Sequence, residues 1–463
     1  MFCSTHDIPT PMSILTILLI LLSAVGLLLF MVLKLKISAF ISLLVTAIYV
    51  GIAAGMPLRE VLTAIEQGMA GTLGFVATVV GLGAIFGQIL ESSGGAQSLA
   101  HHLIRSFGIR WAPWAMTLTG FLVAIPVFFD VGFIILVPIV YALSRDSKRS
   151  LLYYAIPLLA GLAVTHSFIP PTPGPVAVAD ILNAQLGWVI LMGTLLGIPV
   201  AIIAGPLFGR YIAKKIHLDP PPETDGSIEE ANRQSLPSFR IIVILIFIPL
   251  LLILLNTVTA LSVTKGWVRQ SLTTDLLEFI GHPFSALIIA TLAALYFLGI
   301  RRGMKREQLQ ELSTRALGPA GIIILITGAG GVLKQMMTAS GMGEAIAAAM
   351  AGSAMPPILL AWLLAAAVRV TQGSATVAMI TAAGLIAPVI VHLQLSDPQR
   401  ALLVIAISSG ATLLSHVNDS GFWLVGKYLG MNERQTLQSW TVMESLIAIS
   451  GLLLTLGASL FFK

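Results

Sequence analysis

The chain has 463 residues, 57% of them hydrophobic and only 10% charged, with a formal net charge of +5 at pH 7. So much uncharged apolar sequence does not fit one water-soluble core, which excludes an ordinary soluble domain and specifies a polytopic membrane protein whose basic excess sets topology instead of binding nucleic acid. The single cysteine, Cys3, excludes an intrachain disulfide and a cysteine metal site.

Residues 1–11 read as an extension ahead of a natural start at Met12. The stretch 13–33 carries no charge and no Lys or Arg precedes it, so it reads as a retained first helix and not as a cleaved leader. Membrane segments follow at 37–56, 71–90, 111–143, 151–179 and 186–208. A polar linker, 212–239, with three consecutive prolines at 220–222, then joins the second half. That half offers segments at 241–261, 280–300, 317–337, 357–392, 401–427 and 441–462, which match the first half one for one. The pattern Gly81, Gly83, Gln88, Ser93, Gly94 recurs as Gly328, Gly330, Gln335, Ser340, Gly341, marking a duplication over 12–211 and 240–463.

If 111–143 and 357–392 are hairpins that enter and leave on one side, most of the 26 Lys and Arg residues fall on the same face of the membrane. By the positive-inside rule that face is cytoplasmic, which makes the halves inverted and puts both termini in the periplasm. Inverted halves bring two equivalent interrupted elements together near the bilayer midplane.

The first interruption is HSFIPPTPGP, residues 166–175. Pro170, Pro171, Pro173 and Pro175, with Gly174 among them, cannot continue the helix that ends near His166 and Ser167. Irregular backbone at membrane depth is tolerated only inside protein or beside a water-filled cavity, so the break is a candidate site. At the matching place in the second half stands SHVNDSG, residues 415–421, with His416 opposite His166. Asp419 there would cost on the order of 3 kcal/mol in hydrocarbon and is expected to face a pore or a partner; Gly421 ends the break.

The hairpins carry their polar residues near their middles. Asp130 is the only charge between Arg110 and Arg145, whereas the second hairpin offers Arg369, Gln372, Gly373, Ser374 and Thr376 close together. The fork of donors on Arg369 suits a ligand carboxylate, and it equally suits an ion pair with Asp130 or Asp419. Proton coupling needs buried groups that load and unload, and Asp130, Asp419 and His416 are the candidates, with His166 a weaker one. Sodium held by backbone carbonyls and hydroxyls at the breaks is the alternative. No cofactor or metal is expected, and no paired His and Glu of metalloprotease spacing points to an enzyme.

At these residues the chain resembles the gluconate permease (GntP) family of bacterial inner-membrane proton symporters. The resemblance rests on GLGAIFGQILESSGG (81–95), PVFFDVGFIILVPI (126–139), HSFIPPTPGPVAVA (166–179), TQGSATVAMITAAG (371–384) and SHVNDSGFW (415–423), and extends over nearly the whole length after Met12. It implies an all-α inverted-repeat transporter in which two re-entrant hairpins and two broken helices form an elevator-like transport domain against a scaffold that offers a homodimer contact. It also implies uptake of a sugar acid such as gluconate with protons, while carriers of D-serine and other hydroxy acids in the family leave the substrate open. On that reading the substrate carboxylate meets Arg369 or the groups of Gln372, Gly373, Ser374 and Thr376. Its hydroxyls reach Thr172, Asn418 and Ser420, and Asp130 or Asp419 carries the proton.

Overall fold

Proline, glycine and isolated polar residues punctuate the apolar sequence where helices start, stop or turn back. The computed structural model describes residues 14–221, 236–342 and 355–462, which form helices and their connections with no strand among them. The extension 1–11 and residues 222–235 of the linker lie outside the described residues.

In chain order the first half contains α1 (Ile14–Leu29), α2 (Ala39–Ala53), the long α3 (Leu58–Ser92) and α4 (Gly95–Phe107). A hairpin of α5 (Ala112–Val123) and α6 (Phe129–Ser147) follows. The interrupted pair α7 (Leu152–Phe168) and α8 (Pro173–Ile181) comes next, then α9 (Leu186–Ile202) and α10 (Phe208–Lys215). The second half contains α11 (Phe239–Thr264), α12 (Leu272–Gly281), α13 (Pro283–Ala294) and the long α14 (Arg306–Ala339). A second hairpin, α15 (Pro357–Gln372) and α16 (Ala375–Val391), leads to the interrupted pair α17 (Asp397–Gly410) and α18 (Ser420–Tyr428). The short α19 (Glu433–Thr436) and α20 (Val442–Ser459) close the chain.

Eight stretches among the described residues are long and apolar enough to cross a membrane. They differ in depth. In the span Leu152–Ile181, 89% of the apolar window is buried inside the protein, against 29% for Leu15–Val32. The interrupted helix is therefore central, and α1 is peripheral. Large apolar side chains such as Leu22, Leu251, Leu272 and Leu292 remain exposed on the outer helices, as expected of surfaces that meet lipid.

Two helices are longer than hydropathy suggests. The segment expected at 71–90 begins at Leu58, and that expected at 317–337 begins at Arg306. Arg59, Glu60 and Glu66 are exposed while Val61, Ala64, Gly68 and Thr72 are buried, so a helical packing stripe continues past the apolar core of the segment. The helix α4 has the same logic on a smaller scale: Ala96, Leu99, Ala100 and Leu103 are buried, whereas His102 and Arg105 are exposed.

Helices α3 and α14 lie along one another and make the most extensive helix pair of the fold. Small residues permit this approach: a Cβ on Gly68 would stand 2.6 Å from the Val332 Cα and 2.7 Å from the Gly331 carbonyl oxygen. Gly68→Ala is therefore expected to destabilise the protein by about 1–3 kcal/mol, since backbone must move to admit the methyl. Gly71, a turn further along α3, has nothing within 4 Å of an added Cβ. Its replacement by Ala should leave the thermal midpoint of the detergent-purified protein unchanged or raise it. Equal midpoints for both variants would show that the α3–α14 approach is not tight.

Candidate functional site

The proline-rich break forms as its composition requires. Helix α7 ends at Phe168 with Ile169 extended, and α8 restarts at Pro173, where the missing amide of a first-turn proline costs nothing. Gly174 lies against α16, where an added Cβ would come within 2.7 Å of the Met379 sulfur. In the second interruption α17 ends at Gly410, and the chain runs irregularly to Asp419, which caps α18 by accepting a hydrogen bond from the Gly421 amide at 3.1 Å.

The hairpin turns are equally specific. Gly373 takes the left-handed conformation at φ +87°, its amide returns to the Arg369 carbonyl at 2.9 Å, and Ser374 then caps α16. In the first hairpin, Phe128 is extended and α6 starts at Phe129. Gly87 of α3 lets this turn approach, because a Cβ there would collide with the Pro126 carbonyl.

These four interruptions surround one cavity of about 590 Å³, a size suited to a small organic ligand. The starts of α6, α8, α16 and α18 all line it, through Asp130, Pro173, Thr376 and Ser420 among others. Asp419 and Ser374 already cap two of these starts, and the partial positive charge that each of the four carries still favours an anion between them.

Within the cavity Arg369 is only 3% exposed. Its Nη2 donates to Asp419 Oδ2 at 2.5 Å, and its Nη1 donates to the Gly373 carbonyl. The ion pair with Asp419, one of the two roles open to this arginine from sequence, is thus formed, and Arg369 still lines the cavity. Asp419 also accepts from Ser415 Oγ, which in turn accepts from the indole of Trp440 at 2.6 Å. Thr441 donates to the Ser415 carbonyl, so the residues just ahead of α20 clamp the break.

Of the residues singled out from sequence, Asp130, His166, Ser167, Pro173, Arg369, Gln372, Gly373, Ser374, Thr376, Asn418, Asp419, Ser420 and Gly421 line the cavity. Asp130, Asn418 and Ser420 remain accessible there, which marks its open edge. Thr172 is buried outside it and donates to the Ile169 carbonyl at 2.6 Å. Together with Pro171 it lines a much smaller void beside Gly83. Pro170, Gly174 and Pro175 shape the break without lining the cavity. His416 Nε2 meets the Val370 carbonyl at 2.9 Å, and the Asn418 amide donates to the Val370 and Thr371 carbonyls at 3.0 and 3.3 Å. Both therefore close off the end of α15.

Three buried polar atoms at this site have no hydrogen-bond partner among the described residues: Arg369 Nε, Gln372 Oε1 and His166 Nδ1. One is a donor, one an acceptor and one can be either, a set that a ligand bearing both a carboxylate and hydroxyls can satisfy. Sequence reading missed Glu444, Thr412 and Trp440, which also line the cavity. Glu444 stands alone in the apolar run of α20, and the hydrocarbon cost that drew attention to Asp419 applies to it equally.

A family model described as GntP family permease matches residues 15–461. The chain is 43% identical to the low-affinity gluconate transporter of Escherichia coli (strain K12) over 440 residues, 95% of this chain and 97% of that protein. It is 39% identical to the Gnt-II system L-idonate transporter of the same organism over 437 residues, 94% and 97% of the two chains. Among solved structures, the YdaH transporter of Alcanivorax borkumensis is similar in fold, with a TM-score of 0.62 at 15% identity over 86% of this chain and 88% of that one.

Proposed function

We propose that this chain, which belongs to the GntP family of permeases, is a secondary transporter that carries a sugar acid of the gluconate type, with protons, across the bacterial inner membrane. The observation that carries this reading is Arg369: a buried guanidinium at the junction of a hairpin turn and a broken helix, with its Nε free and helix starts converging around it. A carboxylate placed there gains charge-assisted hydrogen bonds, and Gln372 Oε1 and His166 Nδ1 are free to meet its hydroxyls. Relatives named for gluconate and for L-idonate support a polyhydroxylated acid as the substrate class.

The packing of α3 on α14, and the recurrence in both halves of a long helix, a hairpin and a broken helix in the same order, support reading 12–211 and 240–463 as inverted repeats joined by the linker 212–239. On that reading the hairpins and broken helices move as one body past the remaining helices and present the cavity to each side in turn. Proton coupling follows from charge. Asp130, Asp419 and Glu444 face a single guanidinium in the cavity, so a further anion is admitted readily only when protons neutralise carboxylates.

The test is uptake of labelled gluconate into proteoliposomes with each ion gradient imposed separately. Accumulation is expected when the outside is made acidic, and a sodium gradient alone should drive none. Accumulation that follows sodium would replace the proton with sodium. Uptake of D-serine without any sugar acid would overturn the substrate assignment.

A further inference from the structure

Resting on the sugar-acid symport reading above, we infer that Glu444 is the residue that binds the coupled proton, by competing with the substrate carboxylate for Arg369. The three carboxylates of the cavity are held differently. Asp419 is engaged by Arg369 Nη2, Ser415 Oγ and the Gly421 amide, so its negative charge is spent on holding the break and the guanidinium in place. Asp130 lies in the first turn of α6, accessible at the open edge of the cavity, and it makes no ion pair with Arg369 among the described residues.

Glu444 is different on both counts. It is 4% exposed, it lines the cavity, and its backbone carbonyl accepts from Thr412 Oγ1 at 3.3 Å, while no donor is hydrogen-bonded to its carboxylate among the described residues. It lies within electrostatic reach of both Arg369 and Asp419. Of the elements packed on α20, α15 brings Arg369, α7 brings His166, α9 brings no charged residue, and α17 brings Asp397 and Arg400 only at its start, beside the far end of α20, while His416 is turned to the Val370 carbonyl.

One guanidinium therefore faces two internal carboxylates, of which only Asp419 is bonded to it. An ionised Glu444 uses the remaining positive potential of Arg369, and a substrate carboxylate would then enter against an uncompensated negative charge. A proton on Glu444 removes that competitor. Substrate and proton then load together, and the loss of either from the cavity favours the loss of the other, which is the thermodynamic requirement for symport. Glu444 lies in the first turn of α20 just after Trp440 and Thr441, which clamp the second break, so the proton site and that clamp are adjacent in the chain.

The experiment compares wild type, Glu444→Gln and Glu444→Asp in proteoliposomes, reading two processes in each. One is exchange of labelled for unlabelled gluconate without any gradient, and the other is accumulation under an imposed pH difference. One coupled proton gives about tenfold accumulation per pH unit. In Glu444→Gln, exchange is expected to persist, slowed by up to about tenfold, and to lose its pH dependence, while accumulation falls to simple equilibration. Glu444→Asp, which restores a carboxylate, should keep accumulation. A second readout uses purified protein in weak buffer, where gluconate addition takes up about one proton fewer in Glu444→Gln than in wild type. Undiminished accumulation in Glu444→Gln overturns the inference, as does loss of exchange and accumulation together in correctly folded protein. Wild type that exchanges no gluconate would overturn the sugar-acid reading itself, and the inference with it.

Discussion

Arg369→Gln is expected to lower sugar-acid uptake by roughly 30-fold or more, because removing one partner of a buried charged contact costs about 2–5 kcal/mol. The same substitution strands Asp419, which is left buried without its guanidinium, and should reduce stability by about 3–5 kcal/mol. Loss of transport alone would thus be ambiguous. The double variant Arg369→Gln, Asp419→Asn separates the two effects, since a neutral pair can replace the ion pair in the interior at little cost. Its folded yield and thermal midpoint should return toward wild type while uptake stays as low as in the single variant. If uptake recovers along with stability, Arg369 serves only to tie the hairpin to the broken helix. Arg369→Lys should fall between these cases, because an ammonium can neutralise Asp419 but lacks the planar fork that serves Asp419, the Gly373 carbonyl and a ligand at once.

Gly373→Ala is the second large effect. At φ +87° an L side chain is strained, and a Cβ at this position would stand 2.6 Å from the Asn418 carbonyl carbon and 2.8 Å from its Cγ. The hairpin turn must then draw away from the second break, taking with it the carbonyls that His416 and Asn418 engage. A destabilisation of about 1–3 kcal/mol is expected from the strained backbone, together with a fall in uptake of at least about tenfold as the cavity loses its geometry. Gly266, also at positive φ (+72°) but with nothing within 4 Å of an added Cβ, is the control. Its replacement by Ala should cost stability in a connecting turn and leave uptake per folded protein unaltered. Equal losses of uptake in the two variants would mean that the Gly373 contact has no special role.

Much of the architecture was readable before any coordinates because polar and helix-breaking residues in apolar sequence admit few explanations. The prolines at 170–175 had to interrupt a helix, and Asp419 and Arg369 had to find partners or water. The cavity brings together both breaks and both hairpin turns. What escaped sequence reading was of three kinds. Helices α3 and α14 start earlier than their apolar cores because amphipathic packing, not hydropathy, extends them. Glu444 was concealed by the apolar residues around it, although its cost in hydrocarbon was open to calculation. The clamp of Trp440 and Thr441 on Ser415, and the use of Asn418 and His416 to close off α15, depend on tertiary contacts between distant positions. Their residue types alone could not distinguish a ligand contact from a structural one.

A cryo-electron microscopy map of the protein in lipid nanodiscs at mildly acidic pH with saturating gluconate tests the central claim most directly. The expected density lies in the cavity between the two hairpin turns and the two breaks, with the carboxylate end at Arg369 and the hydroxyls toward Gln372 and His166. Gluconate bound elsewhere, or a map in which the proline-rich break and Asp419 stand apart and face lipid, would contradict it.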